Sequence, residues 1–174
     1  MNYIVTGAGT VCIIAFSWFL SLRYGRYHGI PRFFAFESIF ILVILNAPFW
    51  FRQPLSPLQI LSWIFLIFSI YPAVAGYLLL KRHGRPGHNF ENTSQLVTTG
   101  LYKYIRHPLY LSLFIFGTGV MFKRPGTLQL ILGVVNTIAL WFTARVEEKE
   151  MIRKFGAEYK DYMKETKMFI PFIL

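Results

Sequence analysis

The stretch GLYKYIRHPLY, residues 100–110, decides how the second half of this chain is organised. It places an Arg-His-Pro triplet, residues 106–108, immediately before an apolar run of only 14 residues, 109–122. A lone membrane-spanning helix needs roughly 20 apolar residues, so this run must begin inside protein or in a hydrated crevice. A second apolar run, residues 127–144, follows after the four residues KRPG. So short a connection predicts an antiparallel helical hairpin.

The composition of the whole chain is that of a membrane protein. Of its 174 residues, 55% are hydrophobic and only 15% are charged, which is far from the balance of a soluble domain. Three further apolar runs, residues 3–22, 33–51 and 58–80, are each about long enough to cross a bilayer. We therefore predict an all-α integral membrane protein with five transmembrane helices. Three lie within residues 1–80, and the hairpin lies within a second half, residues 81–174.

The distribution of Lys and Arg predicts the orientation of these helices. With five spans, alternate connecting segments and tails carry 15 cations against 3. Short segments rich in cations remain cytoplasmic, so we predict the N-terminus outside and the C-terminus on the cytoplasmic side. The first run has no basic segment ahead of it and no small-residue cleavage site, and we interpret it as a retained span rather than a signal peptide.

The net charge of +10 is explained by this orientation and needs no nucleic acid. Cations that face an anionic leaflet are attracted by about 1 kcal/mol each, and the chain has no soluble basic domain that would suit a nucleic-acid partner. Cys12 is the lone cysteine and falls within the first span. This excludes a disulfide framework and a thiolate metal site, and we predict no bound metal.

The polar segment before the short run is the first candidate site. Residues 81–99 form a 19-residue connection rich in Gly, Asn, Ser and Thr, and loops of this length are usually functional or disordered. Pro108 should open the following helix, whose N-terminus attracts anions. With Arg106 and His107 beside it, this helix end predicts a pocket for a carboxylate or phosphate. The alternative is that Arg106 snorkels to headgroups, His107 caps the helix and the tyrosines line the membrane interface.

A second polar group follows the last apolar run. It contains Arg145, Glu147 and Glu148, and an unbroken helix would bring it to the base of the hairpin, close to residues 100–110. The alternative is the solvated first turn of a surface helix. Apolar residues then recur at spacings of three and four over residues 151–163, which predicts a cytoplasmic amphipathic helix at the C-terminus.

Three segments together carry a resemblance to a known family. They are LVTTGLYKYIRHPLY at residues 96–110, RVEEKEMIRKFGAEYKDYMK at residues 145–164, and a terminal Pro-Phe pair, arranged around the predicted hairpin. In this combination the chain resembles the isoprenylcysteine carboxyl methyltransferase family, within the wider group of membrane phospholipid methyltransferases. The resemblance covers about residues 80–174, so it implies that this half is catalytic and leaves the first two spans unmatched.

The resemblance implies S-adenosyl-L-methionine as cofactor, bound on the cytoplasmic side. Arg145 and His107 are the implied catalytic residues, with Arg145 assigned to the carboxylate of the substrate. Alignment on the Phe-Gly motif instead places the family's arginine at Thr143. The implied cofactor-binding residues are Gln95, Leu96, Val97, Gly100, Tyr102, His107, Pro108, Leu109, Tyr110, Glu147 and Glu148.

The resemblance further implies methyl transfer to the carboxylate of an isoprenylated cysteine, with the bilayer and a lipid-linked or prenylated substrate as partners. An ionised carboxylate needs no general base, whereas an amine acceptor would need one from His107 or Glu148. Two alternatives stay open, a phospholipid N-methyltransferase and a non-enzymatic membrane scaffold or small transporter. A haem protein is disfavoured because all four histidines fall outside the predicted membrane helices.

Overall fold

A computed structural model describes residues 3–85 and 93–171 of the chain. The described residues form six α-helices, joined by short 3₁₀ turns and irregular segments, with one isolated parallel bridge between Ile105 and Lys167. The all-α prediction is therefore confirmed for these residues. The helices are α1 (Tyr3–Leu20), α2 (Gly29–Asn46), α3 (Pro57–His83), α4 (Pro108–Phe122), α5 (Thr127–Phe155) and α6 (Ala157–Glu165).

Four of the described helices, α1, α2, α3 and α5, are long and apolar enough to cross a membrane. Each of them overlaps one of the apolar runs of the sequence, although α5 continues to Phe155, well beyond the end of its run at residue 144. α4 has 15 residues and is shorter than these four helices. The extension of α5 matters for the site, because it carries the acidic residues on the same helix as the apolar run.

The helices pack mainly as two pairs, α3 against α4 and α2 against α5, while α1 contacts α2. Helices in lipid associate through close backbone approach and interhelical hydrogen bonds. Gly119 of α4 allows such an approach, since a Cβ atom there would lie 3.1 Å from the backbone nitrogen of Leu66. At the same point, Ser62 Oγ of α3 donates to the carbonyl of Gly119 at 2.6 Å. The buried apolar clusters around these contacts are Leu42 with Leu66 and Val120, and Ala35 with Ala139 and Leu140.

Two asparagines make further bonds between helices. Asn46 Nδ2 of α2 donates to the carbonyl of Val120 in α4 at 2.7 Å. Asn136 Nδ2 of α5 donates to the carbonyl of Ala35 in α2 at 3.1 Å. Hydrogen bonds of this kind between membrane helices contribute about 0.6 kcal/mol on average. Both asparagines therefore stabilise the packing of the helices, which weakens the alternative that the chain is a small transporter.

The C-terminal amphipathic segment, predicted as one helix over residues 151–163, is divided in the structure. α5 ends at Phe155, Gly156 adopts φ +61° and ψ −126°, and α6 begins at Ala157. Residues with a Cβ atom rarely adopt such angles, so the glycine of the Phe-Gly motif makes the turn possible. After the turn, α6 buries Tyr159 and Tyr162.

The chain after α6 returns to the segment that precedes α4. Arg106 N donates to Lys167 O at 2.8 Å and His107 N to Met168 O at 3.2 Å, while Lys167 N donates to Tyr104 O at 3.1 Å. Buried backbone groups need such partners, above all where nonhelical backbone meets a membrane protein's interior. The C-terminal segment thus fixes the backbone at the start of α4.

Replacing Gly119 with Leu should destabilise the protein, because the new side chain must displace Leu66 of the facing helix. Overpacking of this kind costs about 1–3 kcal/mol, and we expect a lower melting temperature in detergent. Gly7→Leu is the matched control, since a Cβ atom at Gly7 would meet no described neighbour within 4 Å. Equal melting temperatures for the two variants would contradict the close packing of α3 on α4.

Candidate active site

The segment before α4 ends in a buried histidine. His107 has nonhelical backbone angles, φ −126° and ψ 61°, and Pro108 lies in the first turn of α4. The side chain of His107 is only 6% exposed, and its ring stacks on that of Tyr110 with 5.4 Å between centroids. Gly76 of α3 makes room for this helix end, because a Cβ atom there would lie 3.1 Å from Pro108 Cγ.

Two carboxylates from α5 reach this histidine. His107 Nδ1 is 3.6 Å from Glu147 Oε2, and His107 Nε2 is 3.5 Å from Glu148 Oε1. Glu148 Oε1 also accepts a hydrogen bond from Arg106 Nε at 2.6 Å. The continuous α5 thus joins the two polar groups of the sequence. Glu148, with a side chain 3% exposed, is not part of a solvated surface turn.

Arg106 connects three parts of the chain. Besides Glu148, its guanidinium donates to the backbone carbonyls of Met163, at 3.4 Å, and Thr166. These bonds tie the start of α4 to α5 and to the end of α6. The charge of Arg106 is therefore used within the protein, and the structure does not show it reaching outward to headgroups.

The groups around His107 determine its protonation. Burial alone lowers the pKa of His107, but the carboxylates of Glu147 and Glu148 outweigh burial and hold this pKa above its ordinary value. His107 Nε2 is buried and faces Glu148 Oε1 at 3.5 Å, without a hydrogen bond of ordinary geometry among the described residues. Each ring nitrogen of His107 thus faces one carboxylate, at a distance longer than that of an ordinary hydrogen bond.

A cavity of about 270 Å³ opens beside His107. This volume lies close to the lower end of small-molecule sites. Most of the side chains expected to bind the cofactor line this one cavity. They are Leu96, Val97, Tyr102, His107, Leu109, Tyr110 and Glu147.

Three buried phenols belong to the same wall. Tyr102, Tyr159 and Tyr162 line the cavity, and the hydroxyl of Tyr162 donates to the carbonyl of Tyr102 at 2.6 Å. Burial raises the pKa of each of these tyrosines well above its ordinary value. All three therefore stay protonated near neutral pH, and they add no negative charge to the cavity.

The remaining cofactor positions of the prediction do not line the cavity. Gln95 is exposed. Gly100 adopts φ +61° and packs against Leu79, so it shapes the turn before the site. Pro108 and Glu148 are buried, and Glu148 lies 3.5 Å from His107 of the cavity wall.

Arg145, predicted to bind the acceptor carboxylate, also lies outside the cavity lining. Its side chain is 52% exposed, and its guanidinium lies over the ring of Trp141 at 5.6 Å. Its Nη1 is 3.8 Å from Glu148 Oε2. Thr143 is buried and donates to the carbonyl of Ala139 at 2.7 Å. Neither position contributes to the cavity as the described residues define it.

Sequence reasoning missed the contribution of the first two helices. Phe16 of α1 and Arg32 and Phe36 of α2 line the cavity. In the charge count Arg32 is a cation of a loop, whereas the structure places it in the first turn of α2. Its position directly before an apolar run is the only local signal that could have drawn attention to it.

A second ion cluster joins the α1–α2 connection to α5. His28 Nδ1 is 2.8 Å from Glu150 Oε2, and the backbone N–H of His28 donates to Glu150 Oε1 at 3.2 Å. Arg26 lies 3.4 Å from Glu150 and 3.9 Å from Glu147. Local spacing could not reveal these pairs, because their members are more than 100 residues apart in the sequence.

A family model described as phospholipid methyltransferase matches residues 58–158. The match covers more than half of the chain. It begins in the first turn of α3 and ends in α6, so it contains His107 and the acidic residues of α5.

Curated relatives are similar to part of the chain. Protein-S-isoprenylcysteine O-methyltransferase of Mus musculus is 42% identical over 88 residues, which are 47% of this chain and 29% of that protein. The protein of the same name in Saccharomyces cerevisiae is 36% identical over 99 residues, 50% of this chain and 40% of that protein. Methanethiol S-methyltransferase of Crocosphaera subtropica is 33% identical over 78 residues, 44% of this chain and 29% of that protein. The chain thus spans less than half the length of these relatives.

Replacing Arg106 with Leu should destabilise the protein strongly, because Glu148 would stay buried without this cation. Loss of one partner of a buried pair costs about 3–5 kcal/mol. Lys164→Leu is the matched control, since its pair with Asp161 is exposed and should contribute little. Circular dichroism during unfolding in detergent measures both, and equal unfolding transitions would contradict the role of Arg106.

The protonation of His107 predicts a pH-dependent stability. A pKa raised above that of the unfolded chain stabilises the fold fully below about pH 6.5, and this contribution is lost as pH rises through the folded-state pKa. The melting temperature of the wild type should therefore fall with rising pH relative to that of His107→Gln, whose amide does not titrate. Parallel pH profiles of the two proteins would show that His107 is not held protonated by Glu147 and Glu148.

Proposed function

The chain belongs to the phospholipid methyltransferase family, and on that premise we propose that it transfers a methyl group from S-adenosyl-L-methionine to the carboxylate of an isoprenylated cysteine. The observation that supports this proposal most directly is the buried set of His107, Glu147 and Glu148 beside a largely apolar cavity. The relatives named protein-S-isoprenylcysteine O-methyltransferase suggest the acceptor.

The residues around the cavity fit the proposed cofactor. Its methionine part is a zwitterion, and its carboxylate suits the cationic form of His107 at the N-terminus of α4, while its ammonium group suits Glu147. Leu96, Val97 and Tyr102 would cover the nucleoside. When bound, the cofactor supplies a methyl group on a sulfonium, which is already an activated electrophile.

The other positions implied by the resemblance have supporting roles in this proposal. Leu109 and Tyr110 line the cavity beside His107 and would contact the cofactor. Glu147 and Glu148 hold the imidazole of His107 from opposite sides of the ring. Glu147 faces Nδ1, and Glu148 faces Nε2. The backbone around Gln95, Gly100 and Pro108 would shape the binding site.

An acceptor carboxylate needs alignment and removal of water rather than a base, and orientation alone can supply several kcal/mol. Phe16, Phe36 and Leu113 give the cavity an apolar wall that suits a prenyl group. An amine acceptor would need a base, but Glu148 is paired with Arg106, and His107 lies between Glu147 and Glu148. These pairs favour the carboxylate over the phospholipid amine.

For the membrane arrangement, we propose that α4 is a fifth membrane helix, antiparallel to α5. Only four residues connect the two helices, and they contact each other. The cation-rich segments at the other end of α5 support a cytoplasmic position for the site and for α6, with the N-terminus outside.

Methyl transfer by the purified protein tests the proposed reaction. The protein in lipid vesicles receives radiolabelled S-adenosyl-L-methionine together with N-acetyl-S-farnesylcysteine, phosphatidylethanolamine or methanethiol. We expect base-labile label, as a methyl ester, on the farnesylated cysteine. Label on one of the other acceptors would replace the proposed substrate, and absence of label on all three would refute the proposed reaction.

Binding of S-adenosylhomocysteine tests the cofactor site separately. His107→Ala and Glu147→Ala each remove a charged group that would pair with the amino-acid part of the ligand, so calorimetry in detergent should show affinity reduced at least about tenfold. Lys103→Ala is the matched control, because Lys103 is exposed on the same segment as His107. Undiminished affinity in both site variants would remove the assignment of these residues.

A further inference from the structure

The cavity contains a buried cation that the cofactor site does not use. Arg32 lies in the first turn of α2, is 1% exposed, and lines the cavity together with Phe16 and Phe36. Removing an arginine from water costs several kcal/mol. Charged residues inside membrane proteins therefore commonly mark binding sites or ion paths.

Contacts with α1 and with the α1–α2 connection help to hold the guanidinium of Arg32 in place. Its Nη2 donates to Ser21 Oγ at 2.8 Å, and its Cζ lies 5.1 Å from the centre of the Phe16 ring. Ser21 Oγ is in turn 3.2 Å from Nε2 of His28, which pairs with Glu150 of α5. This series of contacts fixes Arg32 relative to the helix that carries Glu147 and Glu148.

Three other arginines lie near the cavity, and each has an acidic neighbour. Arg106 lines the cavity but is bound by Glu148 and by two backbone carbonyls. Arg26 lies next to Glu150 and Glu147. Arg145 is half exposed and lies outside the cavity lining.

We propose that Arg32 binds the carboxylate of the methyl acceptor and thereby determines which acceptors the enzyme accepts. This assignment rests on the proposed function. A guanidinium presents its N–H groups as a planar fork that matches a carboxylate with two parallel hydrogen bonds. Phe16 and Phe36 line this part of the cavity, and apolar surroundings strengthen the attraction between opposite charges.

The position of Arg32 in the chain supports an acceptor contact rather than a cofactor contact. The family model covers residues 58–158, and α2 lies outside it. The relatives that share similarity with the chain are named for two different acceptors, an isoprenylcysteine and methanethiol. Residues that select the acceptor are therefore expected outside the part that binds the common cofactor.

The test compares Arg32→Gln with the wild type in steady-state transfer to N-acetyl-S-farnesylcysteine. Loss of charge-assisted hydrogen bonds to the carboxylate should raise the KM for this acceptor about 10- to 100-fold. The affinity for S-adenosylhomocysteine should stay within about twofold of the wild type. Arg23→Gln is the matched control, because Arg23 is an exposed arginine of the α1–α2 connection, and its KM should not change.

A second measurement keeps the test decisive if Arg32→Gln does not fold. Arg32→Lys keeps the charge and loses the planar fork, so it should raise the KM less than Arg32→Gln. The wild type should bind N-acetyl-S-farnesylcysteine more tightly than the corresponding amide. The KM of the acid is compared with the inhibition constant of the amide, and Arg32→Lys should reduce the preference for the acid. An undiminished preference in Arg32→Lys, an unchanged KM in a folded Arg32→Gln, or a larger KM effect of Arg145→Gln would overturn the assignment.

The experiments give a different result if the proposed function itself is wrong. A wild-type protein that transfers no methyl group to the farnesylated acceptor removes the proposed reaction, and the assignment of Arg32 falls with it. A wild type that transfers the methyl group, with an Arg32→Gln variant of normal KM, removes only the role of Arg32.

Discussion

The buried ion pair between Arg106 and Glu148 is the contact on which the rest of the site depends. α4 is too short to behave as an ordinary membrane helix, so the nonhelical backbone before it must find its hydrogen-bond partners inside protein. The segment after α6 supplies these partners through Lys167 and Met168. Arg106 holds this segment through the carbonyls of Met163 and Thr166, and Glu148 neutralises its charge. One side chain thus joins the start of α4, the middle of the acidic stretch and the C-terminal segment.

The geometry of an α-helix explains how one short acidic stretch serves three partners. Successive residues are rotated by about 100° around the helix axis. Glu147 therefore lines the cavity, while Glu148 points to Arg106 and Glu150 meets His28 of the α1–α2 connection. This division requires a continuous helix from the apolar run through the acidic residues, and α5 is such a helix. A break before Glu147 would separate the cavity from the contacts that support it.

The sequence predicts the helices and the half of the site that is local in the chain. The lengths of the apolar runs predict the long helices and the short α4, and the resemblance carries His107, Glu147 and most of the cavity residues between them. The turn at Gly156 was missed because periodicity continues across it, while backbone angles are not visible in a hydrophobic pattern. Arg32 was missed for another reason: its relation to the cavity depends on how α2 packs on α5, and contacts between distant segments leave no trace in local spacing.

The packing of α2 on α5 separates two tasks within one cavity. The proposed cofactor would meet one compact region, from the start of α4 to the acidic stretch of α5, and this region lies within the part that the family model matches. The relatives are named for different acceptors, and the wall contributed by α1 and α2 lies outside the part that the family model matches. Arg32 lies on that wall and is linked through Ser21 and His28 to Glu150 on α5. If Arg32 binds the acceptor as proposed, this series of contacts would fix the recognising group relative to the acidic residues of α5.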